Sequence, residues 1–211
     1  MNIEFEIMKP EDIEARSFEI IESELVKQLD PKLAPIIKRV IHTTADFDYA
    51  DSLCFSEGVV EIAENALKSG ISIVTDTNMT KAGINKKALS KLGGEVLCFM
   101  DDEDVAYTAK ETATTRASVS IDKSAKLGDH FIFAVGNAPT ALIRLYELIT
   151  KGKIAKPALI IGVPVGFVNV VQAKELIMKS GVPYIVARGR KGGSNVAAAI
   201  CNALIYGIAR K

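Results

Sequence analysis

The sequence predicts an α/β protein with a three-layer, doubly wound fold built on a mainly parallel, five-stranded sheet. Two observations lead to this prediction: short apolar runs recur along the chain, and segments with helical periodicity separate them. Strands that are buried on both faces read as nearly continuous apolar runs, and their alternation with helices is typical of parallel sheets. The five runs are "ISIVT" (71–75), "EVLCFM" (95–100), "HFIFAV" (130–135), "ALIIGV" (158–163) and "YIVA" (184–187).

The first third of the chain is predicted to be helical. One helix is expected to begin near Pro10 and a second near Pro31, because proline suits the first turn of a helix. We expect these helices, over about 10–45, to pack on an α/β core over about 56–208, so that residues 1–211 form one domain. The predicted apolar stripes are Ile13, Ile20, Ile21, Leu25 and Leu29 in the first helix and Leu33, Ile36, Ile37, Val40 and Ile41 in the second.

Further helices are expected before and between the strands. Ser56 is predicted to cap a helix that runs to about Lys68 and ends at Gly70. The preceding stretch "FDYADSLCF" (47–55) is compatible with either a helix or a strand. The remaining helical segments are 85–92, 103–126, 138–151, 168–180 and 194–208.

Composition argues against several classes of protein. Lys plus Arg and Asp plus Glu are equal at 26 each, so no basic excess marks a nucleic-acid binder. Three widely spaced cysteines without a C-x-x-C motif favour a reducing, cytoplasmic compartment and argue against a structural zinc site. The acidic amino terminus and the absence of an apolar run of about 18 residues predict neither a signal peptide nor a membrane span.

Ligands of doubly wound proteins bind outside the carboxyl ends of the strands, so the segments after the strands form the candidate site. Ordinary turns also need Gly, Pro and Asn, which leaves a turn and a site equally open on composition. The apolar side chains of "PVGFV" favour a site, because an ordinary turn would be polar there. The five segments are "DTNMT" (76–80), "DDED" (101–104), "GNAPTAL" (136–142), "PVGFVN" (164–169) and "RGRKGGSN" (188–195).

The stretch "RGRKGGSN" has the composition of an anion-binding loop, with a solvated basic turn as the alternative. Two arginines and a lysine precede Gly-Gly and Ser194, which is a good N-cap. A helix amino terminus presents unpaired N–H groups, and arginine presents forked donors for carboxylate or phosphate. "GNAPTAL" similarly opens a helix whose amides could face a ligand. Neither stretch is G-x-G-x-x-G or a Walker A loop, so a nucleotide site lacks its fingerprint.

Three other residues are candidates, each with a structural alternative. His42 points away from the apolar stripe of its helix, which predicts a surface or cleft position, and the helix dipole there favours the imidazolium. Ser17 lies on the apolar face of the first helix and either bonds back to its own helix or meets a polar group. Arg116 is either a further anion clamp or a surface arginine. His130 opens a strand, so it is expected at the opposite edge of the sheet.

Several of these stretches together resemble the precorrin-8X methylmutase family, also called cobalt-precorrin-8 methylmutases, of corrin biosynthesis. They span nearly the whole chain, and the combination of the last three is specific. In chain order they are "RSFEII" (16–21), the histidine of "RVIHTTAD" (39–46), "DTNM" (76–79), "TTR" (114–116), "GNAPTAL", "GVPVGFV" (162–168) and "RGRKGGS".

The resemblance implies an isomerase that moves a methyl group from C-11 to C-12 of a contracted tetrapyrrole, formally a 1,5-sigmatropic shift, to give a cobyrinic acid-type corrin. It implies a flavodoxin-like fold, a homodimer with the site near the subunit interface, and no cofactor, since any cobalt belongs to the substrate. It makes His42 the proton donor or acceptor. The substrate-binding residues that it implies, together with the segments above, are Ser17, Asp76, Met79, Arg116, Gly136, Asn137, Thr140, Pro164, Gly166, Phe167, Arg188, Arg190, Gly192, Gly193 and Ser194.

Two other functions remain as alternatives at this point. A carrier for an anionic tetrapyrrole would use the same anion clamps but would not need His42. A nucleotide- or flavin-binding enzyme of the same fold would suit the glycine-containing loops but lacks the fingerprints. The role of Thr43 and Thr44 is also open, because their hydroxyls either orient the imidazole or end the helix.

Overall fold

A computed structural model describes residues 6–127 and 130–209 of the chain, which form a mixed α/β structure around one sheet. The strands are β1 Leu53–Phe55, β2 Ser72–Thr75, β3 Val96–Leu97, β4 Phe131–Val135, β5 Leu159–Gly162 and β6 Tyr184–Ala187. Their order in the sheet is β1-β6-β5-β4-β2-β3. Neighbouring strands pair in parallel, except that β1 runs antiparallel to β6.

Helices precede the sheet and connect its strands. None of the helices within residues 6–127 and 130–209 is long and apolar enough to cross a bilayer. Their bounds are α1 Ile13–Glu24, α2 Ala34–Thr44, α3 Tyr49–Ser52, α4 Val59–Lys68, α5 Asn78–Gly83, α6 Lys86–Lys91, α7 Glu103–Glu111, α8 Arg116–Leu127, α9 Pro139–Thr150, α10 Val170–Met178 and α11 Ser194–Ala209.

All five strands predicted from the apolar runs are present, although β3 is reduced to two residues. The predicted number of strands was wrong, because β1 adds a sixth strand at the edge beside β6. β1 has three residues and lies within "FDYADSLCF", a stretch too short and too mixed in polarity to show strand periodicity. The sheet is therefore mostly parallel with one antiparallel edge.

Alternate residues of the central strands face opposite sides of the sheet. In β4, Ile132 and Ala134 pack with α2, α4 and α11, whereas Phe133 and Val135 pack with α8, α9 and α10. This alternation gives one apolar layer on each face and explains why the strands read as nearly continuous apolar runs. The strand order reverses between β2 and β4, so the switch point of the sheet lies between the loops that follow these two strands.

The apolar stripe predicted for α1 was wrong in part. Ile13 and Ile20 have relative accessibilities of 50% and 39%, so they do not face the core. Ile21, Leu25 and Leu29 face it as predicted, and Phe18, which was not predicted, joins them with helical spacing. Both faces of α1 carry apolar side chains, and only the face against α2 is covered. Periodicity alone does not tell the covered face from the exposed one.

The predicted cap at Ser56 was also wrong. α4 begins after Gly58, whose φ is 66°. The Ser56 hydroxyl accepts the Tyr184 N–H at 2.9 Å and therefore ties the chain to the first residue of β6.

Two segments are divided differently from the prediction. The helix expected over 103–126 is interrupted at Ala113, which has a left-handed φ of 50°, and becomes α7 and α8. Thr115 caps α8, because its hydroxyl accepts the Ser118 N–H at 3.2 Å. The segment after β2, expected as a loop, enters the short helix α5, which is capped by Thr77.

Candidate active site

One buried carboxylate joins the loops that follow β2 and β4. Asp76 directly follows β2 and is 2% exposed. Its Oδ1 accepts the Gly136 N–H at 2.8 Å, and its Oδ2 accepts the N–H groups of Asn137 and Ala138 at 2.8 and 2.6 Å. Burial raises the pKa of the Asp76 carboxyl, and the three backbone donors oppose that rise. The amides that the sequence offered to a ligand before α9 are thus engaged by Asp76, which lies beneath the loop and not at its surface.

The start of α11 packs against the same two loops. The hydroxyls of Thr77 and Ser194 hydrogen-bond at 2.8 Å, and the Thr80 hydroxyl donates to the Ser194 carbonyl at 3.4 Å. A Cβ on Gly136 would lie 2.7 Å from the Cα of Ser194, so only glycine permits this approach. Gly136 and Ser194 are both buried, and they join β4 and α11 at the edge of the sheet.

Gly192 and Gly193 bring the chain before α11 against the end of β5. The Gly193 N–H donates to the Val163 carbonyl at 2.9 Å. A Cβ on Gly192 would overlap that same carbonyl, which explains the glycine. The next residue, Pro164, is buried at this junction. The loops after β5 and β6 are therefore bound to each other through their backbones.

The outer surface of these loops combines cations with apolar side chains. The Gly166 N–H donates to the Arg190 carbonyl at 3.2 Å, and the Arg190 guanidinium lies 5.3 Å from the centre of the Phe167 ring. Phe167 is 79% exposed, and Met79 in α5 is 70% exposed. Arg188 is exposed as well, and it pairs with a glutamate of α10 at 3.2 Å. Arginine and apolar side chains therefore lie side by side on this surface.

Sequence reasoning missed one residue that lies under the arginine-containing loop. Lys174 of α10 is 1% exposed, and its Nζ donates to the carbonyls of Gly189 and Lys191, both at 2.8 Å. Burial lowers the pKa of Lys174 to about 8. A signal was available: Lys174 falls between Val170 and Ile177 on the buried stripe of α10, where a lysine needs a partner.

His42 lies near the carboxyl end of α2 and is exposed, as its position off the apolar stripe predicted. Its imidazole contacts the Phe18 ring edge-on, with the ring centroids 5.5 Å apart. The ring is therefore supported by Phe18 on one side and accessible to a ligand. The stripe residues of the helix that are buried are Ile36, Ile37, Val40 and Ile41.

The two threonines after His42 end the helix. The Thr43 hydroxyl donates to the Arg39 carbonyl at 3.0 Å, and the Thr44 hydroxyl donates to the Val40 carbonyl at 2.8 Å. Ala45 then adopts a left-handed conformation with a φ of 53°. Both hydroxyl protons are used within α2, so neither threonine donates a hydrogen bond to the imidazole.

Ion pairs connect the histidine end of α2 to the loop that follows β6. The Nζ of Lys191 lies 2.6 Å from an oxygen of Asp46 and 2.6 Å from an oxygen of Asp48. The hydrogen bond from Lys191 lowers the pKa of the Asp46 carboxyl. These contacts join the turn that follows α2 to the loop that contains Arg188 and Arg190, at the carboxyl edge of the sheet.

Arg116 and Thr140 extend the same edge on the other side of the switch point. Arg116 is exposed at the first residue of α8. The hydroxyl of its neighbour Thr115 hydrogen-bonds to the hydroxyl of Thr140 in α9 at 2.9 Å. The start of α8 is therefore fixed to the start of α9, where Asp76 binds.

Ser17 adopts the local alternative that its position allowed. Its hydroxyl donates back to the Ile13 carbonyl at 2.8 Å, and the residue is half-buried. By its spacing, Ser17 shares the outward face of α1 with Ile13 and Ile20. It therefore lies on an apolar surface and not against the core.

A groove of about 830 Å³ lies between α1, α2 and α11, away from the carboxyl edge. It runs along α2 as far as Arg39, and its lining includes Phe18, the ring that contacts His42. Its lining cations Lys27, Lys38 and Arg39 are each paired with a carboxylate. At the carboxyl edge Arg188 and Lys191 are paired as well, but no ion pair involves Arg116 or Arg190 within the described residues, which makes the carboxyl edge the better candidate. Within the described part of the chain, no three His, Cys, Asp or Glu side chains group as a metal site.

Comparison with known proteins places the chain in a family. The family model for precorrin-8X methylmutase matches residues 12–207. The chain belongs to the precorrin-8X methylmutase family. A cobalt-precorrin-8 methylmutase of Priestia megaterium is 44% identical over 198 residues, which cover 93% of this chain and 88% of that protein. A precorrin-8X methylmutase of Pseudomonas aeruginosa is 38% identical over 174 residues, 82% of this chain and 83% of that protein.

A solved structure of a precorrin-8X methylmutase supports the same relationship. The crystal structure of the Thermus thermophilus protein matches with a TM-score of 0.85 and 40% identity, over 94% of this chain and 98% of that chain. The family expected from seven short stretches is thus confirmed over nearly the whole length. The methylmutase match includes every residue that was a candidate for the site, from Ser17 to Ser194.

Proposed function

We propose that the protein is an isomerase that moves a methyl group from C-11 to C-12 of precorrin-8 or cobalt-precorrin-8, giving a cobyrinic acid-type corrin. One observation carries the assignment to this edge of the sheet: an exposed imidazole, His42, lies at a helix end that Lys191 ties to a loop with two exposed arginines. The names of the relatives supply a methylmutase acting on precorrin-8X or cobalt-precorrin-8, and the C-11 to C-12 course of the shift is what the family resemblance implies.

The substrate in this proposal is a large, flat macrocycle with several acetate and propionate carboxylates. Arg116 and Arg190 are exposed along one edge and would bind those carboxylates, since arginine matches their geometry. Arg188 would join them by exchanging its partner Glu175 for a substrate carboxylate. The exposed side chains of Phe167 and Met79 would lie against the apolar ring. Arg190 already stacks on Phe167, so the cationic and apolar parts of the surface are adjacent.

His42 is proposed to act as the proton donor or acceptor. A sigmatropic shift needs no nucleophile, and it is accelerated when the migrating system is electron-poor. Protonation of a ring nitrogen by His42 would produce that state, and general acid catalysis of this kind typically contributes about 10²–10⁴-fold.

The other residues of the site are proposed to act in two groups. Ser17 and Asn137 are accessible and would contact the substrate or complete its binding surface. The remaining group shapes the loops that present the arginines and Phe167, because its members hydrogen-bond or pack between loops. That group is Asp76, Gly136, Thr140, Pro164, Gly166, Gly192, Gly193 and Ser194.

We also propose a homodimer with a flavodoxin-like arrangement of its parallel strands. The exposed face of α1 that carries Ile13, Ser17 and Ile20 supports self-association, because exposed apolar residues clustered on one face are typical of interfaces. A dimer formed there would bring a second chain close to Ser17. The order β3-β2-β4-β5-β6 supports the flavodoxin-like arrangement, to which β1 adds an antiparallel edge.

Conversion of the substrate tests the proposal directly. The purified protein is incubated with metal-free precorrin-8 and, separately, with cobalt-precorrin-8, and the mass-neutral change of the absorption spectrum is followed. Conversion of either substrate supports the isomerase, and the better substrate identifies the form that is used. A protein that binds both substrates and returns them unchanged is a tetrapyrrole carrier, which contradicts the proposal.

A further inference from the structure

The loop of residues 188–193 is held from below by a buried cation that pairs with no carboxylate among the described residues. Lys174 Nζ donates hydrogen bonds to the carbonyl oxygens of Gly189 and Lys191. Burying an ammonium group costs free energy that two neutral acceptors only partly offset. A methionine would fill the same space without that cost, so packing alone does not account for the lysine.

The carbonyl groups of Gly189 and Lys191 point inward to Lys174, whereas the side chain of Arg190 between them points to the surface. Arg190, which separates Gly189 from Lys191, is exposed and stacks on Phe167. Gly189 has a left-handed φ of 82°, which allows the chain to turn over the ammonium group. Lys174 therefore fixes the turn that presents Arg190 to the surface.

Lys191 links the same loop to the turn that follows α2. Its carbonyl binds Lys174, whereas its own ammonium group binds Asp46 and Asp48, two and four residues after the end of α2. The Asp48 N–H donates to the Asp46 carboxylate at 3.0 Å, so the two acids form one small cluster. A single exposed ion pair contributes little, but one ammonium shared by two carboxylates of an ordered turn is a network.

We propose that Lys174 and Lys191 form a brace that sets the position of His42 relative to the anion-binding loop. Lys174 fixes the loop from inside, and Lys191 carries that position across to the turn after α2. Both lysines are positioning residues, since neither needs to touch the reacting atoms. The expected effect of the brace on turnover, its catalytic part, rests on the proposed methylmutase function. The physical link between the loop of 188–193 and the turn of 45–48, its mechanical part, does not.

Hydrogen exchange tests the mechanical part without any substrate. In Lys174→Met, exchange is expected to rise about tenfold or more in peptides covering 188–193 and also in peptides covering 45–48, because the brace joins them. Lys191→Met is expected to raise exchange in 45–48. Lys179→Met is the matched control, since Lys179 is an exposed lysine at the end of the same helix, and no change is expected there. A Lys174→Met protein that exchanges faster only in 188–193 overturns the brace.

Kinetics test the catalytic part from both ends of the brace. Lys191→Met is expected to lower kcat about tenfold or more, because small displacements of a catalytic group are costly. The double variant Asp46→Asn/Asp48→Asn should lower kcat to a similar extent, and combining it with Lys191→Met should add little. Lys191→Arg should restore most of the activity. A double aspartate variant with unchanged kcat would show that Lys191 acts on the substrate and not through the brace.

The two hypotheses fail in different ways. If the unaltered protein converts neither substrate, the methylmutase proposal is overturned, and the exchange measurements still decide whether the brace exists. If Lys174→Met does not fold, Lys191→Met and the double aspartate variant decide the question, because all three altered residues lie at the surface or close to it.

Discussion

The carboxylate of Asp76 accepts the Ala138 N–H at 2.6 Å, across the point where the strand order of the sheet reverses. In open α/β sheets the crevice at this point is the usual place for a ligand. Here the protein's own carboxylate takes the helix amides that would otherwise attract an anion. An anionic ligand is therefore directed to the outer surface of the edge, where Arg116, Arg190 and His42 are exposed.

Replacing Asp76 by asparagine should destabilise the fold. Whichever way the asparagine amide turns, its NH2 group would face either the Gly136 N–H or the N–H groups of Asn137 and Ala138, so at least one backbone donor would lose its acceptor. A loss of about 2–4 kcal/mol is expected from urea unfolding. Asp101→Asn is the control, because Asp101 is exposed and accepts one hydrogen bond, and it should change stability by less than about 0.5 kcal/mol. Equal stability of the two variants would show that the hydrogen bonds accepted by Asp76 do not stabilise the fold.

The contribution of Lys174 to stability should become more favourable between pH 8 and pH 10. Its folded pKa of about 8 is below the unfolded value of 10.5, so the unfolded chain binds the proton more tightly in this range. The cost of burying the charge is fully present below pH 8 and is relieved as the pH rises towards 10.5, with a limit of about 3 kcal/mol. The two carbonyl acceptors favour the ammonium group and make the change smaller.

Urea unfolding at pH 8 and pH 10 measures this effect. The control is Lys174→Met, which lacks the titrating group but keeps every other one. The difference in stability between the unaltered protein and this variant should therefore shift with pH in favour of the unaltered protein. If the difference in the free energy of unfolding between the two proteins does not change with pH, the pKa of Lys174 is not lowered in the folded state.

His42 and Thr43 are neighbours with different expected effects on turnover. His42→Ala should lower kcat by about 10²–10⁴-fold while substrate binding is retained, as expected for the loss of a general acid. Thr43→Val should leave kcat within about twofold, because its hydroxyl donates to the Arg39 carbonyl within α2. Absorbance assays of turnover and titrations of binding separate these effects. Near-normal turnover of His42→Ala would contradict its role in proton transfer.

Charged residues on the outward face of α1 should dissociate the proposed dimer. Ile13→Glu and Ile20→Glu place charges at positions that are exposed in the single chain, so the fold of each subunit should be kept. Sedimentation velocity should then show a shift from dimer to monomer. The control is Tyr107→Glu, since Tyr107 is 68% exposed on α7. If the α1 variants sediment as the unaltered protein does, the dimer forms elsewhere or does not form.

The central strands and the position of His42 were predictable because each depends on local periodicity. β4 and β5 are continuous apolar runs, and His42 leaves the stripe of α2 by one residue. Asp76 and its partners are 60 to 62 residues apart in the chain, and no local pattern reports such a pairing. The outward position of Ile13 and Ile20 was missed because an apolar helix face looks the same whether a core or another surface covers it.

Lys174 was missed for a related reason. A single lysine in an amphipathic helix is ordinarily solvated, and the carbonyls that it binds belong to a turn 15 and 17 residues further along the chain. Its burial depends on how that turn folds back over α10. The sequence contained only the indirect indication that Lys174 interrupts the buried stripe between Val170 and Ile177.

The two outermost strands of the sheet are its shortest, with two residues in β3 and three in β1. Short edge strands offer few unpaired backbone groups to another chain, and natural proteins use them to limit edge-to-edge aggregation. Copies of this protein consequently have little backbone with which to continue one sheet into the next. The homodimer proposed above would therefore be held by side chains, and point substitutions on a helix face are expected to control it.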